Sequence, residues 1–369
     1  MSIRYSGRLA LQQRVLPAYR VPFFDQLAKA CEGGLSLFAG LPRARENIVT
    51  ANKLGFADYK LADNLHWFGG PFYLCYQKGL VPWLADWDPD VLIVEANPRY
   101  LATPSALEWM HTRGRKVLGW GLGAPPLSGP LAGFRQRSWV QFLGRFDALI
   151  AYSQRGAEEY AALGFPRTRI FVAMNAVSPR PVDPPILHPS TFDREPILLF
   201  VGRLQARKRV DFLLRACASL SEVEAGRKLR LVIVGDGPER SKLVSLAKKV
   251  YPSAEFVGTR RGVELKPYFE HADLFVLPGT GGLAVQEAMS HGLPVLVAKG
   301  DGTQDDLVRD ANGWQVPPED YDALVSTLSL ALSDVGRLRE MGKESYRIVT
   351  EEINLEKMVE VFVKALNSL

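Results

Sequence analysis

The 369-residue chain has only three cysteines and five histidines, and neither type is clustered. Cys31, Cys75 and Cys217 stand apart among apolar neighbours with no C-x-x-C spacing. They read as reduced core residues, neither disulfide partners nor metal ligands. The dispersed histidines give no metal site, and no divalent ion or cofactor is expected. No apolar run approaches the ~20 residues that span a bilayer. The opening MSIRYSGRLALQQRVL lacks an apolar signal segment with a cleavage site, which points to the cytoplasm. Basic residues are scattered instead of striped, and no recognition-helix or RNA-binding signature appears, which sets nucleic acid aside.

What is present is an ordinary globular composition, 47% hydrophobic and 23% charged, long enough for two domains. The net charge of +5 is uneven: residues 1–190 carry a net +7 and the remainder a net −2. A basic first half suits a phosphorylated ligand or an anionic membrane surface, and equally a solvated basic surface.

Two α/β patterns follow one another. In the first, Leu9–Leu16, Leu35–Phe38, Val91–Glu95, Lys116–Trp120, Ala148–Tyr152 and Ile170–Val172 read as strands. Helix-period segments such as Pro22–Cys31, Ser105–Arg113 and Arg155–Leu163 separate most of them. The proline-rich Ser178–Pro196 has no periodicity and reads as a connection. Strands at Ile197–Val201, Leu229–Val234, Phe275–Leu277 and Val295–Ala298 then alternate with helices at Val210–Leu220, Pro238–Lys249 and Ala284–His291. A largely helical stretch runs from Tyr321 to Leu366. Apolar β-branched runs without alternation are strands covered on both faces, hence parallel sheets. The expected architecture is two doubly wound Rossmann-like domains facing each other across a cleft. Its expected boundaries are 1–180, a linker at 181–196, and 197–350.

Three loops at strand carboxyl ends carry the chemistry, where ligands of such sheets bind. In FVGRLQARKRVDFLL, a strand ends at Gly202, and Arg203 and Lys208 follow before a helix. Two cations beside a helix N-terminus make an anion site suited to a diphosphate; the alternative is a basic loop in solvent. In VIVGDGPER the glycine turn reads as structural, with Pro238 at the first helical position. In VLPGTGGLAVQEAMSHGLPV, Gly279, Gly281 and Gly282 let the backbone approach a ligand, and Leu283 opens a helix with unpaired N–H groups. Glu287, about one turn inside that helix, can accept hydrogen bonds from a ribose diol. Together the loops describe a nucleotide-diphosphate site in the second domain.

GRLQARK, VGDGPE, FVG (Phe256–Gly258), ADLFVLP and QEAMSHGLPV, in that order, resemble the family-4 retaining glycosyltransferases of the GT-B fold. The similarity runs from about Ile197 to Val316 and is weaker in the first half. There FDALIAYSQRGAEEY, MNAV and LPAYRVPFFDQLAKA carry it. The resemblance implies that Arg203 and Lys208 bind the donor's diphosphate, with Arg203 and Lys208 as the catalytic charge stabilisers. It puts Glu287 on the ribose and Gly202, Gly279, Gly281, Gly282 and Leu283 at phosphate or sugar. Thr259 and Arg260 then lie near the base. A final helix within 351–369 is expected to pack back toward the first domain.

Two positions depart from that family. Its motif places a glutamate eight residues before Glu287, where this chain has Gly279. A histidine is usual after the strand corresponding to Lys116–Trp120, where this chain has Leu122. The expected activity is retaining sugar transfer from a UDP- or GDP-sugar to a glycan or lipid-linked glycan, in bacterial polysaccharide or glycoconjugate synthesis. The alternative is a non-catalytic nucleotide-sugar-binding homologue serving as an assembly partner. In the first domain Glu95, Asn97 and Arg99 follow a strand end and either face the acceptor or cap the turn; Arg20 is a further acceptor-side candidate or a surface arginine. Contact with an anionic membrane at the inner face of the plasma membrane is a further expectation. The aromatic set Phe23, Phe24, Phe68, Phe72, Tyr73, Trp83 and Trp87 would provide it if these rings do not form core.

Overall fold

The computed structural model describes residues 3–46, 48–124, 129, 132–192, 194–223, 228–300 and 302–369. The chain divides into two compact units, one of residues 1–177 with 355–369 and one of residues 178–354.

The first unit is built on eight strands: β1 (Leu9–Val15), β2 (Leu35–Gly40), β3 (Asp58–Trp67), β4 (Leu74–Lys78), β5 (Val91–Glu95), β6 (Lys116–Gly121), β7 (Ala148–Ala151) and β8 (Ile170–Val172). Their order is β4-β3-β2-β1-β5-β6-β7-β8, and every pairing is parallel except β3 with β4. Helices α1 (Val21–Ala30), α2 (Leu80–Trp87), α3 (Thr103–His111), α4 (Ala132–Leu143) and α5 (Gln154–Ala162) connect them. Local chemistry fixes their starts. Pro22 opens α1, and the Ser153 hydroxyl accepts the Gly156 N–H to cap α5. β1, β2, β5 and β7 are buried almost throughout, as parallel strands covered on both faces must be.

The second unit has six strands, all parallel: β9 (Ile197–Val201), β10 (Arg230–Val234), β11 (Glu255–Gly258), β12 (Leu274–Leu277), β13 (Val295–Ala298) and β14 (Gly313–Val316), in the order β11-β10-β9-β12-β13-β14. Its helices are α6 (Val210–Val223), α7 (Arg240–Val250), α8 (Lys266–His271), α9 (Leu283–Ser290), α10 (Thr303–Leu307), α11 (Tyr321–Ser333) and α12 (Val335–Glu351). Asp320 and Asp334 cap α11 and α12. The last helix, α13 (Leu355–Asn367), belongs to the first unit, where Phe362 packs edge-on against Phe23 and Trp120.

Several elements differ from the sequence expectation. The antiparallel β3–β4 hairpin was not anticipated, because β3 is mostly exposed or half-exposed and its residues do not form an apolar run. α2, α4, α8, α10 and β14 were likewise not foreseen. Helix α7 begins at Arg240, not at Pro238, since Gly237 to Glu239 turn back on the first loop through Glu239 N–H to Leu204 O. Ser178–Pro196 contains no strand or helix among its described residues, but it is bound to the second unit. Arg194 and Arg339 both bond the buried Asp273 carboxylate, at 2.7 and 2.8 Å.

Candidate functional site

In each sheet the strand order reverses between two parallel neighbours, β1 and β5 in the first and β9 and β12 in the second. A crevice opens beyond the carboxyl ends of such a pair, because the connections leave in opposite directions. The anticipated diphosphate loops follow β9 and β12.

The loop after β9 is braced from below. Gly202 N–H donates to Val234 O and Leu204 N–H to Asp236 O. A Cβ on Gly235 would lie 2.0 Å from Gly202 O, and one on Gly237 2.3 Å from Leu204 O. The Gly-Asp-Gly turn is therefore a backbone buttress, as its sequence implied. Above it, a single 3-10 turn (Ala206–Lys208) brings the chain onto the loop after β12. Thr280 N–H donates to Arg207 O at 3.0 Å, while Lys208 Nζ donates to Thr280 O at 2.8 Å and Gly281 O at 2.7 Å. Arg207 Nη1 reaches Thr280 O at 3.2 Å. The Lys208 ammonium is buried, and burial together with the adjacent Arg207 guanidinium lowers its pKa to about 8. A bound anion would reverse both penalties.

Gly279 explains its own identity. A Cβ there would stand 2.1 Å from Arg207 O and 2.5 Å from Lys208 Cα, so the turn bearing Lys208 occupies the space of any side chain at this position. Gly281 takes φ +71°, a left-handed conformation that glycine adopts without cost. Helix α9 then begins at Leu283, with Gly282 as its N-cap and no side-chain cap, leaving its first amides to a ligand. Glu287 is the fifth residue of α9. It is half-buried, and desolvation raises its pKa; among the described residues its carboxylate has no hydrogen-bond or ion partner.

Arg203 is exposed on the loop after β9. Thr259 and Arg260 follow β11, two strands from β9, with Arg260 Nη1 bonded to Thr259 O. Lys208, Gly279, Gly281, Gly282, Leu283 and Glu287 are thus brought together around two loops, with Arg203 nearby on the first. Thr259 and Arg260 lie to one side at the sheet's edge. Arg207 belongs to the same constellation and was missed, although it lies within the quoted motif.

In the first unit, the switch point joins Arg14 at the end of β1 to Glu95 at the end of β5. The Glu95 carboxylate accepts the Arg14 N–H at 2.9 Å, and burial lifts its pKa to about 6. The Arg14 guanidinium pairs with Glu46 at 2.8 Å, and Arg43 chelates the same carboxylate, holding it down at about 2 against its own burial. Tyr73 OH joins His66 Nδ1 at 2.9 Å beside them. Only Glu95 of this network was legible, since its other members come from three separate segments. Asn97 closes the following turn by accepting the Arg99 N–H.

Arg20 is not a surface arginine. It is 6% exposed, bonded to Ala176 O and Asn175 Oδ1, and lies over the rings of Tyr19, Trp120 and Tyr152. Leu122 is 51% exposed just beyond β6. Of the aromatic set, Phe23, Phe24, Tyr73 and Trp83 are core and Trp87 is half-buried. Phe68 and Phe72, at the tip joining β3 to β4, stand 73% and 78% exposed. Among the described residues no helix is long and apolar enough to cross a membrane.

Two doubly wound parallel-sheet units, with a glycine loop and a basic loop at the switch point of the second, define the GT-B class. Residues 188–348 match the family described as glycosyl transferases group 1. A GDP-mannose-dependent alpha-mannosyltransferase of Mycobacterium tuberculosis is 29% identical over 256 residues, 65% of this chain and 63% of the relative. A putative colanic acid biosynthesis glycosyltransferase of Escherichia coli is 28% identical, over 63% of this chain and 59% of the relative. The chain thus spans slightly under two thirds of the length of these curated relatives. Among solved structures, the Anabaena protein HepE in complex with UDP has a TM-score of 0.69 at 16% identity, covering 98% of this chain and 100% of that one. The lipopolysaccharide outer core galactosyltransferase WaaB has 0.68 at 16%, covering 98% and 99%. These likenesses establish the fold.

Proposed function

We propose that the protein is a retaining glycosyltransferase that moves a sugar from a UDP- or GDP-linked donor to a glycan or lipid-linked glycan acceptor. The observation that carries this is the joint placement around two loops of the Lys208 ammonium, the open N-terminus of α9 and the Glu287 carboxylate, which has no hydrogen-bond or ion partner among the described residues. The diphosphate meets Lys208, Arg203 and the α9 amides, and Glu287 accepts from the ribose hydroxyls. The relatives' names supply the biological setting: GDP-mannose for the mycobacterial enzyme and colanic acid biosynthesis for the Escherichia coli one.

In transfer, the bond from the sugar's anomeric carbon to the leaving phosphate breaks, and a bond to the acceptor oxygen forms on the same face. The acceptor's proton passes to the departing phosphate oxygen. The protein's part is to stabilise the charge growing on the diphosphate and to align the acceptor. Neither task requires a divalent ion where two cations and a helix dipole already face the phosphates. The acceptor is assigned to the first unit, near the Glu95 switch point. Peripheral contact with anionic membrane is assigned to the exposed Phe68 and Phe72 beside Arg43 and Arg45, whose guanidiniums hold the Phe68 carbonyl.

Calorimetric titration with UDP, GDP and ADP, with and without magnesium, tests the reading. Micromolar binding of one diphosphate that is lost in Lys208→Ala and weakened in Glu287→Ala supports it. No binding to any of the three would transfer the lead to a non-catalytic assembly partner. Sedimentation with anionic liposomes tests the membrane contact; equal sedimentation with and without them would remove it.

A further inference from the structure

The donor site carries more fixed positive charge than its backbone geometry needs. No Asp or Glu occurs between Gly202 and Arg209, nor between Pro278 and Gln286. Arg209 is neutralised by Asp211 and Glu319. Among the described residues Arg207 and Lys208 have no such partner, and their mutual repulsion helps depress the lysine. The two play different parts. Lys208 is buried and spends two N–H donors on the carbonyls of residues 280 and 281. Arg207 is exposed; its Nε is held by Gln205 Oε1 at 3.1 Å and its Nη1 by Thr280 O at 3.2 Å. Those two contacts fix the guanidinium plane and leave three of its five N–H groups to a ligand.

The glycine loop itself carries no carboxylate. Position 279 has no room for a side chain, because the backbone of residues 207 and 208 fills it. A Cβ at Gly281 would stand 3.0 Å from Arg207 Nη1. A sugar lying against this loop therefore meets a fixed guanidinium and no acidic group from either loop. For a neutral sugar this is a poor surface: hydroxyls would have to desolvate a cation without neutralising it. A carboxylate on the sugar pairs with the planar fork in bidentate fashion.

Resting on the donor-site reading above, the geometry points to Arg207 as a specificity-determining residue that selects a donor whose transferred sugar is a uronic acid. Lys208 and the α9 N-terminus take the diphosphate, and Arg207 takes the sugar carboxylate. The nucleobase is left to other residues.

The test compares donors that share a base: UDP-glucose with UDP-glucuronate, and GDP-mannose with GDP-mannuronate, titrated into the full-length protein alongside UDP and GDP. The expected result is tighter binding of the acidic member of one pair by about tenfold or more, roughly what one well-placed charged hydrogen-bonding pair contributes. The ratio within the pair is the readout, since it cancels any general loss of affinity. Arg207→Gln should bring that ratio near one, Arg207→Lys should keep part of it, and Arg207→Glu should invert it. If a nucleoside diphosphate binds but the acidic and neutral sugars bind alike, the uronate assignment falls and the donor site stands. A preference unchanged in Arg207→Gln likewise removes Arg207 from the role. If neither UDP nor GDP binds, both fall together.

Discussion

Arg209 and Glu319, two of four non-glycine residues held in the left-handed region among those described, are each other's ion-pair partners. Their φ angles are +50° and +62°. Each such conformer costs about 1–2 kcal/mol for a residue with a side chain. Arg209 ends the turn that presents Arg207 and Lys208, and its guanidinium also bonds both Asp211 oxygens and covers the Phe212 ring. Glu319 comes from a loop more than a hundred residues later. The strained turn is thus held by an anchor outside the ligand site.

Glu319→Gln should accordingly weaken UDP or GDP binding by about three- to tenfold, as expected for one partly screened ion pair of about 1 kcal/mol. Thermal stability should change by only a few degrees. Calorimetric titration beside a melting curve checks this; unchanged affinity would mean that Asp211 and Phe212 suffice to hold the turn.

Restoring a carboxylate at position 279 should harm the protein. Gly279→Ala already places a methyl group against Arg207 O and should destabilise the second unit by about 1–3 kcal/mol, an overpacking cost. Gly279→Glu should in addition expel the 206–208 turn and abolish diphosphate binding. Urea denaturation followed by titration reads both effects. A Gly279→Glu protein that binds nucleotide normally would show that the turn moves aside easily.

Nucleotide affinity should fall above pH 8. On the proposed donor site the ammonium form of Lys208 is the one that would meet a diphosphate, and in the free protein its pKa is lowered to about 8 by burial and by Arg207. Beyond that pH binding must first protonate the lysine, at a cost of up to about tenfold in affinity per pH unit. Lys208→Arg should bind with a flat profile to pH 9.5. A wild-type profile equally flat would mean that Lys208 contributes no charge to binding.

Glu95 gives a stability effect of its own sign. Burial raises its folded-state pKa from 4.5 to about 6, so the folded protein holds a proton that the unfolded chain has released between those values. Its contribution is present below pH 4.5 and is lost as the pH rises through 6. Glu95→Gln keeps the acceptor for the Arg14 N–H and should stabilise the protein above pH 6 by about 1–2 kcal/mol. Melting temperatures of both proteins at pH 4.5 and 7.5 decide the matter; the gap between them should widen with pH.

Much of this architecture is written in short apolar runs. Val91–Glu95, Ile170–Val172, Ile197–Val201 and Val295–Ala298 are strands over the same residues that their composition marks. The β3–β4 hairpin escaped because an edge strand half in water needs no apolar run, and its partner is chosen by hydrogen bonding across the turn. The two loops that meet at Lys208 could be read because Lys208, Gly279 and Glu287 lie in contiguous glycine-bearing motifs. The Arg14, Glu46 and Tyr73 partners of Glu95 could not, since they come from separate segments and meet it only after β1 and β5 have been brought side by side. Arg20 stayed open between an acceptor-side role and the surface for a related reason. A charged residue after a strand reads as surface until Trp120, Tyr152 and the carbonyl at 176 close around it.

The membership of α13 in the first unit sets an order of assembly during synthesis. Residues 178–354 form a contiguous unit that can close as soon as it leaves the ribosome. The first unit cannot, because Phe362 is missing from the cluster of Phe23 and Trp120 until the chain has been translated past residue 362. Domains commonly fold from the N-terminus onward. Here the nascent first unit waits with an open aromatic face through some 180 further residues, and the second domain to be made is the first that can be finished.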